Sequence, residues 1–425
     1  MTRWRHTRTA RRAGALLALS CLLLASSSCG LFATGTTVPT PPPVTSPYAK
    51  FDAAIQKALD NARSSIHVAI PTRPGAPAPL LPAAAFGRGL GSRVVLGFLP
   101  SWEMSDVSTI DYAALSEIAY YALRVRRGGV IVRSGMGWNA LVSGSVSTMI
   151  TKAHAAGVRA LLTLYAVDQP TLEALAARPG SGTTLADQVA LLLRRYGFDG
   201  VDLDFEGQVA SARNGFVRFF KAFSTRLKAI DSSWSVVLNT FPQAAVDPES
   251  FFDVRALAPY ADQLFVMAYD MNDQLSPGAT APLAGADLSD ASSLASFVSA
   301  VPRSKVILGI PFYGYDFTAT RRTLPADTIG TPYAVSYDAV VAAGRQGRWD
   351  PVTETPYTSF RRDGQWHQTW YEDPVSVALK VALAAAFHVG GVGAWELGMA
   401  NGQSIMTTTL DGGSPPLKLP LASGS

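Results

Sequence analysis

The chain is 425 residues long, 48% hydrophobic and 16% charged, with a formal net charge of +4 and two cysteines. That apolar fraction excludes a mainly disordered protein, and two cysteines exclude both a disulfide scaffold and a zinc finger. The positive balance points to nucleic acid or membrane partners only if the charge lies on the folded body.

It does not. Arg3, Arg5, Arg8, Arg11 and Arg12 precede an apolar run from Ala13 to Ala25, too short to cross ~30 Å of hydrocarbon. Residues 1–28 are therefore predicted to be an export signal, with an uncleaved anchor as the alternative. Ser26-Ser27-Ser28-Cys29 resembles a bacterial lipobox, which makes Cys29 the expected lipidation site and membrane anchor, although Ser26 stands where such a box has Leu. Removing residues 1–28 takes away five of the 36 basic residues and none of the 32 acidic ones, leaving a net charge of −1. No nucleic-acid partner is expected of such a body. Cys21 leaves with the signal, so nothing remains for a disulfide, thiol catalysis or thiolate metal ligation.

Residues 29–92 are expected to form a tether and N-terminal segment. Residues 30–47 are Thr/Pro-rich and read as extended; Phe51, Ile55 and Leu59 predict a helix over 50–66; and 71–92 are again rich in Pro, Ala and Gly. From Arg93 the pattern changes. Eight short β-branched runs follow: RVVLGFLP, EIAYYAL, VRALLTLY, GVDLDFE, SVVLNTF, QLFVMAYD, KVILGIPF and GGVGAWEL. Between them lie helical periodicities such as Leu185, Val189, Leu192 and Leu193, and Phe216, Phe219, Phe220, Phe223 and Leu227. Eight alternating units predict an α/β fold, a (β/α)8 TIM barrel over 93–412 with a small insertion, 316–372, between strands 7 and 8. Residues 413–425 read as a tail.

The chemistry concentrates in the fourth strand, Asp199-Gly200-Val201-Asp202-Leu203-Asp204-Phe205-Glu206-Gly207. Strand alternation puts Asp202, Asp204 and Glu206 on one face and Val201, Leu203 and Phe205 on the other. Three carboxylates facing a barrel interior need a shared proton, hydrogen bonds or a cation. With a shared proton, Glu206 at the strand end can stay protonated near neutral pH and act as an acid. A calcium or magnesium site and a purely structural polar cluster are the competing readings; the buried-strand pattern argues against the first. The histidines, His6, His67, His154, His367 and His388, are scattered, and no metal site or cofactor is expected.

The string DGVDLDFE resembles the DGxDxDxE signature of glycoside hydrolase family 18, the chitinase-like hydrolases. Further matches follow in order: Met267-Ala268-Tyr269-Asp270 on strand six, Leu308 to Tyr315 on strand seven, WYEDPVSVALK from Trp370 to Lys380, and Trp395 closing strand eight. One feature departs from the family pattern: Leu162-Thr163-Leu164-Tyr165 stands where many members carry Ser-x-Gly-Gly.

The resemblance implies a retaining glycosidase cleaving β-1,4 linkages of N-acetylglucosamine-containing glycans by substrate-assisted catalysis. Glu206 would be the acid and then the base, Asp204 would hold the acetamido N–H, and Asp202 would share its proton. Tyr269 would donate to the acetamido oxygen, and Trp395 would floor the sugar. Asp270, Met267, Tyr313 and Trp102 complete the expected substrate-binding set. Chitin or its oligomers is the leading substrate and cell-envelope peptidoglycan the alternative. A non-catalytic glycan-binding protein is the reading from another class, which the presence of Glu206 disfavours. The expected protein is a monomer, exported as an envelope lipoprotein or secreted.

Overall fold

The computed structural model describes residues 46–81, 93–400, 404–412, 418 and 421–422. The segments expected to be an export signal and a tether, up to Thr45 and including Cys29, lie outside them.

Eight parallel strands form the barrel and its connection: β1 (Val94–Pro100), β2 (Glu117–Arg126), β3 (Arg159–Ala166), β4 (Gly200–Phe205), β5 (Ser235–Thr240), β6 (Gln263–Val266), β7 (Val306–Pro311) and, after the insertion, β13 (Gly391–Trp395). Sequential neighbours pair in order, β13 lies between β7 and β1, and β1 also pairs with β2, which closes the ring. All eight strand assignments from the sequence coincide with these elements.

The interior is filled by inward residues of alternate parity: Val94, Leu96 and Phe98 from β1, Ala119 from β2, Leu161 from β3, Val237 from β5, Phe265 from β6 and Ile307 from β7. Phe265 fits because β7, its neighbour, and β13, the next strand round the ring, carry glycine. A Cβ on Gly309 would lie 2.7 Å from its ring, and one on Gly393 would lie 2.8 Å away.

Outside the barrel, helices α2 (Ser181–Tyr196) and α3 (Arg213–Ile230) bury the periodic faces read from the sequence. The aromatic row of α3 has a particular task. Phe205, the outward residue at the end of β4, stacks on Phe219 at 5.9 Å, and Phe216 packs against Phe251 at 4.4 Å. Each such ring pair adds about 1 kcal/mol to the burial of its area. The strand that carries the three carboxylates is therefore clamped from behind.

The insertion is an antiparallel sheet: β8 (Tyr313–Ala319), β9 (Tyr333–Ser336), β10 (Arg348–Asp350), β11 (Thr355–Arg362) and β12 (Gln365–Trp370). It begins at Tyr313, two residues after β7 ends, rather than at 316. Tyr313 and Tyr315 thereby sit on its first strand.

The helix expected over 50–66 is present, and the segment that carries it belongs to the folded body. Residues from Ser46 onward belong to the same compact unit as the barrel. Helix α1 (Asp52–Ser65) packs against α4 (Asp290–Ala300) and α6 (Pro374–Ala386), with α5 (Tyr337–Ala342) the one helix of the insertion. Arg63 forks onto Glu354 of the insertion at 2.5 and 3.1 Å, and Ala76–Pro77 pairs with β10. Pro and Ala look like linker composition, but a two-residue edge strand accommodates Pro.

Candidate active site

Strand parity brings the site together. On β4, Asp202 and Asp204 point into the barrel mouth, with Glu206 next in the row and just past the strand end. Inward positions of the neighbours supply Tyr121 from β2, Thr163 and Tyr165 from β3, Asn239 from β5, Tyr269 beyond β6 and Trp395 from β13.

Asp204 is buried and held by two donors: Tyr121 Oη at 2.9 Å on one oxygen and Asn239 Nδ2 at 3.2 Å on the other. Asn239 also reaches Asp202 at 3.4 Å, and Thr163 is the register neighbour of Asp202 on β3. Asp202 is fully buried, and one of its oxygens has no hydrogen-bond partner. Burial first, and the charge of Asp204 second, push its carboxyl well above the usual range. Burial raises Asp204 as well, but Asn239 and Tyr121 oppose that rise. The two donors on Asp204 favour its charged form, and burial of a partnerless oxygen favours the neutral form of Asp202.

Glu206 is held through its backbone: its N–H donates to the Ala166 carbonyl at 3.0 Å, and its own carbonyl accepts from Gln169 Nε2 at 3.2 Å. Its carboxyl makes no hydrogen bond among the described residues. Burial, then the charges of Asp204 and Asp270, raise its pKa to about 8. A carboxylic acid that keeps its proton at neutral pH while standing at the mouth of a barrel is equipped to protonate a leaving group.

Aromatic walls surround this acid. Trp395 meets Tyr121 edge-on at 4.6 Å and Phe98 at 5.6 Å. Tyr121 stacks on Tyr165 at 5.8 Å, and Trp102, half-exposed at the rim, meets Tyr121 edge-on at 6.0 Å. Tyr269 packs against Tyr313 at 6.2 Å; its phenol is pushed well above its ordinary pKa by burial and then by Asp204, so it remains a hydrogen-bond donor. Asp270 adopts a left-handed backbone, φ 54°, and accepts from Tyr313 at 2.7 Å and Tyr315 at 3.0 Å. Met267 is buried in the interior cluster, one inward step below Tyr269.

All nine residues singled out on strands one, four, six, seven and eight thus gather at one end of the barrel or on the strand leading from it. The sequence reading missed Tyr121 and Asn239, the two donors to Asp204, and Tyr165. Each had the inward parity of its strand, and that parity was the available signal. Tyr165 also shows what replaces the glycine pair: an aromatic ring stacked on Tyr121. Among the described residues no three His, Cys, Asp or Glu side chains converge as a metal site would require.

The sequence model of a family described as glycosyl hydrolases family 18 matches residues 138–400. The di-N-acetylchitobiase of Mus musculus is 26% identical over 278 residues, covering 57% of this chain and 71% of that protein. A cortical fragment-lytic enzyme of Bacillus anthracis is 26% identical over 216 residues, 48% of this chain and 47% of its own. The chain spans about half the length of the Bacillus relatives it matches. Among solved structures, a chitinase from Cycas revoluta in complex with (GlcNAc)3 superposes with a TM-score of 0.67 at 21% identity, covering 75% of this chain and 98% of that one.

Proposed function

Because the chain belongs to glycoside hydrolase family 18, we propose that it is a retaining hydrolase of β-1,4 linkages in N-acetylglucosamine-containing glycans, working through the substrate's own acetamido group. The observation that carries this reading is the inward carboxylate row of Asp202, Asp204 and Glu206, with Asp204 held by Tyr121 and Asn239 and Glu206 at the barrel mouth. Glu206 gives its proton to the glycosidic oxygen. The acetamido carbonyl oxygen attacks the anomeric carbon, so no second carboxylate nucleophile is required. Asp204, charged and fixed by Tyr121 and Asn239, accepts from the acetamido N–H and stabilises the positive charge that spreads over the ring formed. Tyr269 donates to the acetamido oxygen, and Trp395 offers the apolar floor. Glu206, now ionised, takes a proton from the incoming water, and attack from the departing group's face restores the starting configuration.

The acid form of Glu206 is the active one, so activity is present below its pKa and lost above it. Plotted against pH, kcat/KM is expected to bend near pH 8 and then fall about tenfold per unit. A profile still flat at pH 9.5 rules out Glu206 as the proton donor.

Chitin or its oligosaccharides is the leading substrate, in line with the name of the mouse relative. Peptidoglycan is the second, favoured by the name of the Bacillus anthracis relative and by the lipoprotein-type leader. Fluorogenic chitobiosides, colloidal chitin and purified peptidoglycan, offered side by side, separate the two. Measurable binding with no cleavage of any of the three overturns the hydrolase in favour of a glycan-binding protein. We propose further that the protein is exported and anchored through Cys29. A Cys29→Ser protein is then expected in the soluble fraction, and one that still sediments with membranes counts against the anchor.

A further inference from the structure

The insertion sheet has a second face. On β8, Tyr313, Tyr315 and Phe317 point toward the catalytic side, and Asp316 points away. Thr369 lies opposite Asp316 and His367 opposite Phe360, so these residues and Arg362 share the back face. Helix α5 lies over part of that face and leaves a cavity of about 140 Å³. It is lined by the aliphatic chains of Val335, Ala339, Val340 and Ala343, the ring of Phe360, the hydroxyls of Tyr333, Thr358 and Thr369, and Asp316, Arg345 and Arg362, with Ala339, Ala343 and both arginines exposed.

The charges around this cavity do not balance. Asp316 is buried and already satisfied, accepting from Thr369 Oγ1 at 2.9 Å and His367 Nδ1 at 2.6 Å, with Arg362 Nη2 at 3.5 Å. Arg362 also donates to Tyr333 Oη at 2.8 Å and feels Asp363 from beyond the cavity. Arg345 lies 3.7 Å above the Phe360 ring and makes no ion pair or hydrogen bond among the described residues. Arg362 is thus engaged by Asp316, Tyr333 and Asp363, whereas Arg345, exposed at the mouth, is left without an ion pair among the described residues.

The geometry points to a second binding site here, for the terminal carboxylate of a short peptide whose last residue is small and apolar. Guanidinium groups present paired donors that match a carboxylate. The volume is well below the ~300 Å³ and upward of a drug-sized pocket, so it admits the end of a chain rather than a sugar ring. The aliphatic wall takes a methyl group in place of a long or charged side chain. This deepens the proposed function and rests on it in one respect: the peptide would be one carried by the glycan, holding a strand on the insertion while the barrel works on sugar.

The test titrates N-acetyl-alanyl-alanine, its C-terminal amide and acetate into the full-chain Glu206→Gln protein, with and without Arg345→Ala. The dipeptide acid is expected to bind saturably and the amide at least about tenfold more weakly. Arg345→Ala should lower affinity for the acid by at least about tenfold, while in the parent background it leaves chitooligosaccharide cleavage unchanged. Equal binding of acid and amide, or an Arg345→Ala protein that binds as before, overturns the site. Acetate binding as tightly as the dipeptide overturns the peptide. Hydrolysis plays no part in the titration, so a parent protein that cleaves no glycan removes the catalytic reading and leaves this result standing on its own.

Discussion

Glu206→Gln is expected to lower kcat/KM on every substrate the protein cleaves by about 10³-fold or more. General acid–base catalysis is worth roughly 10²–10⁴-fold, and here one carboxyl serves as acid in the first step and base in the second. Gln keeps the shape and removes the proton. Because the Glu206 carboxyl makes no hydrogen bond among the described residues, the exchange breaks no internal contact, and the thermal midpoint should stay where it was. Glycan binding should persist. Measured kinetics within tenfold of the parent would sink the role assigned to Glu206.

The second large effect concerns stability. Lys380 on α6 is buried with Asp290, 2.5 Å away at the start of α4, and with Glu372, 3.6 Å away. It also donates to the Ala281 carbonyl in the loop that follows Asp270. Burial raises Asp290 to about 6 and Glu372 to about 8 even though Lys380 pulls both down. Lys380→Met removes the cation and leaves the acids in place, at a cost of about 3–5 kcal/mol. For a unit of this size that is a fall in Tm of about 5 °C. Without the cation both folded-state pKa values rise further above those of the unfolded chain, so the stability they contribute is lost as pH increases. The deficit should be smallest at pH 5 and widen toward pH 8, which calorimetry at the two pH values reads directly. A deficit under 1 °C, or one that shrinks toward pH 8, contradicts the argument.

The barrel was legible because a buried parallel strand leaves a short β-branched run, and eight such runs stand between helical periodicities. The acid row was legible for a related reason: carboxylates at every second position of a buried strand conflict with their surroundings unless chemistry needs them. Tyr121 and Asn239 raise no such conflict. A tyrosine in EIAYYAL and an asparagine in SVVLNTF are unremarkable residues until the neighbouring strand places Asp204 against both. Nor could the insertion be resolved into strands, since β10 is three residues long and acquires its conformation from β11. The strand in the N-terminal segment left no signal for the same reason. Ala76–Pro77 becomes a strand only because residues 348–349 arrive beside it.

That long-range pairing also governs when the molecule can be finished. Arg63 meets Glu354 across 291 positions, and Arg93 donates to the Leu410 carbonyl across 317. β1 cannot complete its hydrogen bonding until β13, whose Gly391 lies beside Val94, has been synthesised. Contacts of such separation form slowly, after the chain has paid their loop-closure entropy. β1 can pair on one side with β2 as soon as β2 is made, but the ring stays open on its other side until β13 follows. If the chain is exported as proposed above, that delay keeps the barrel open while it threads a translocation channel.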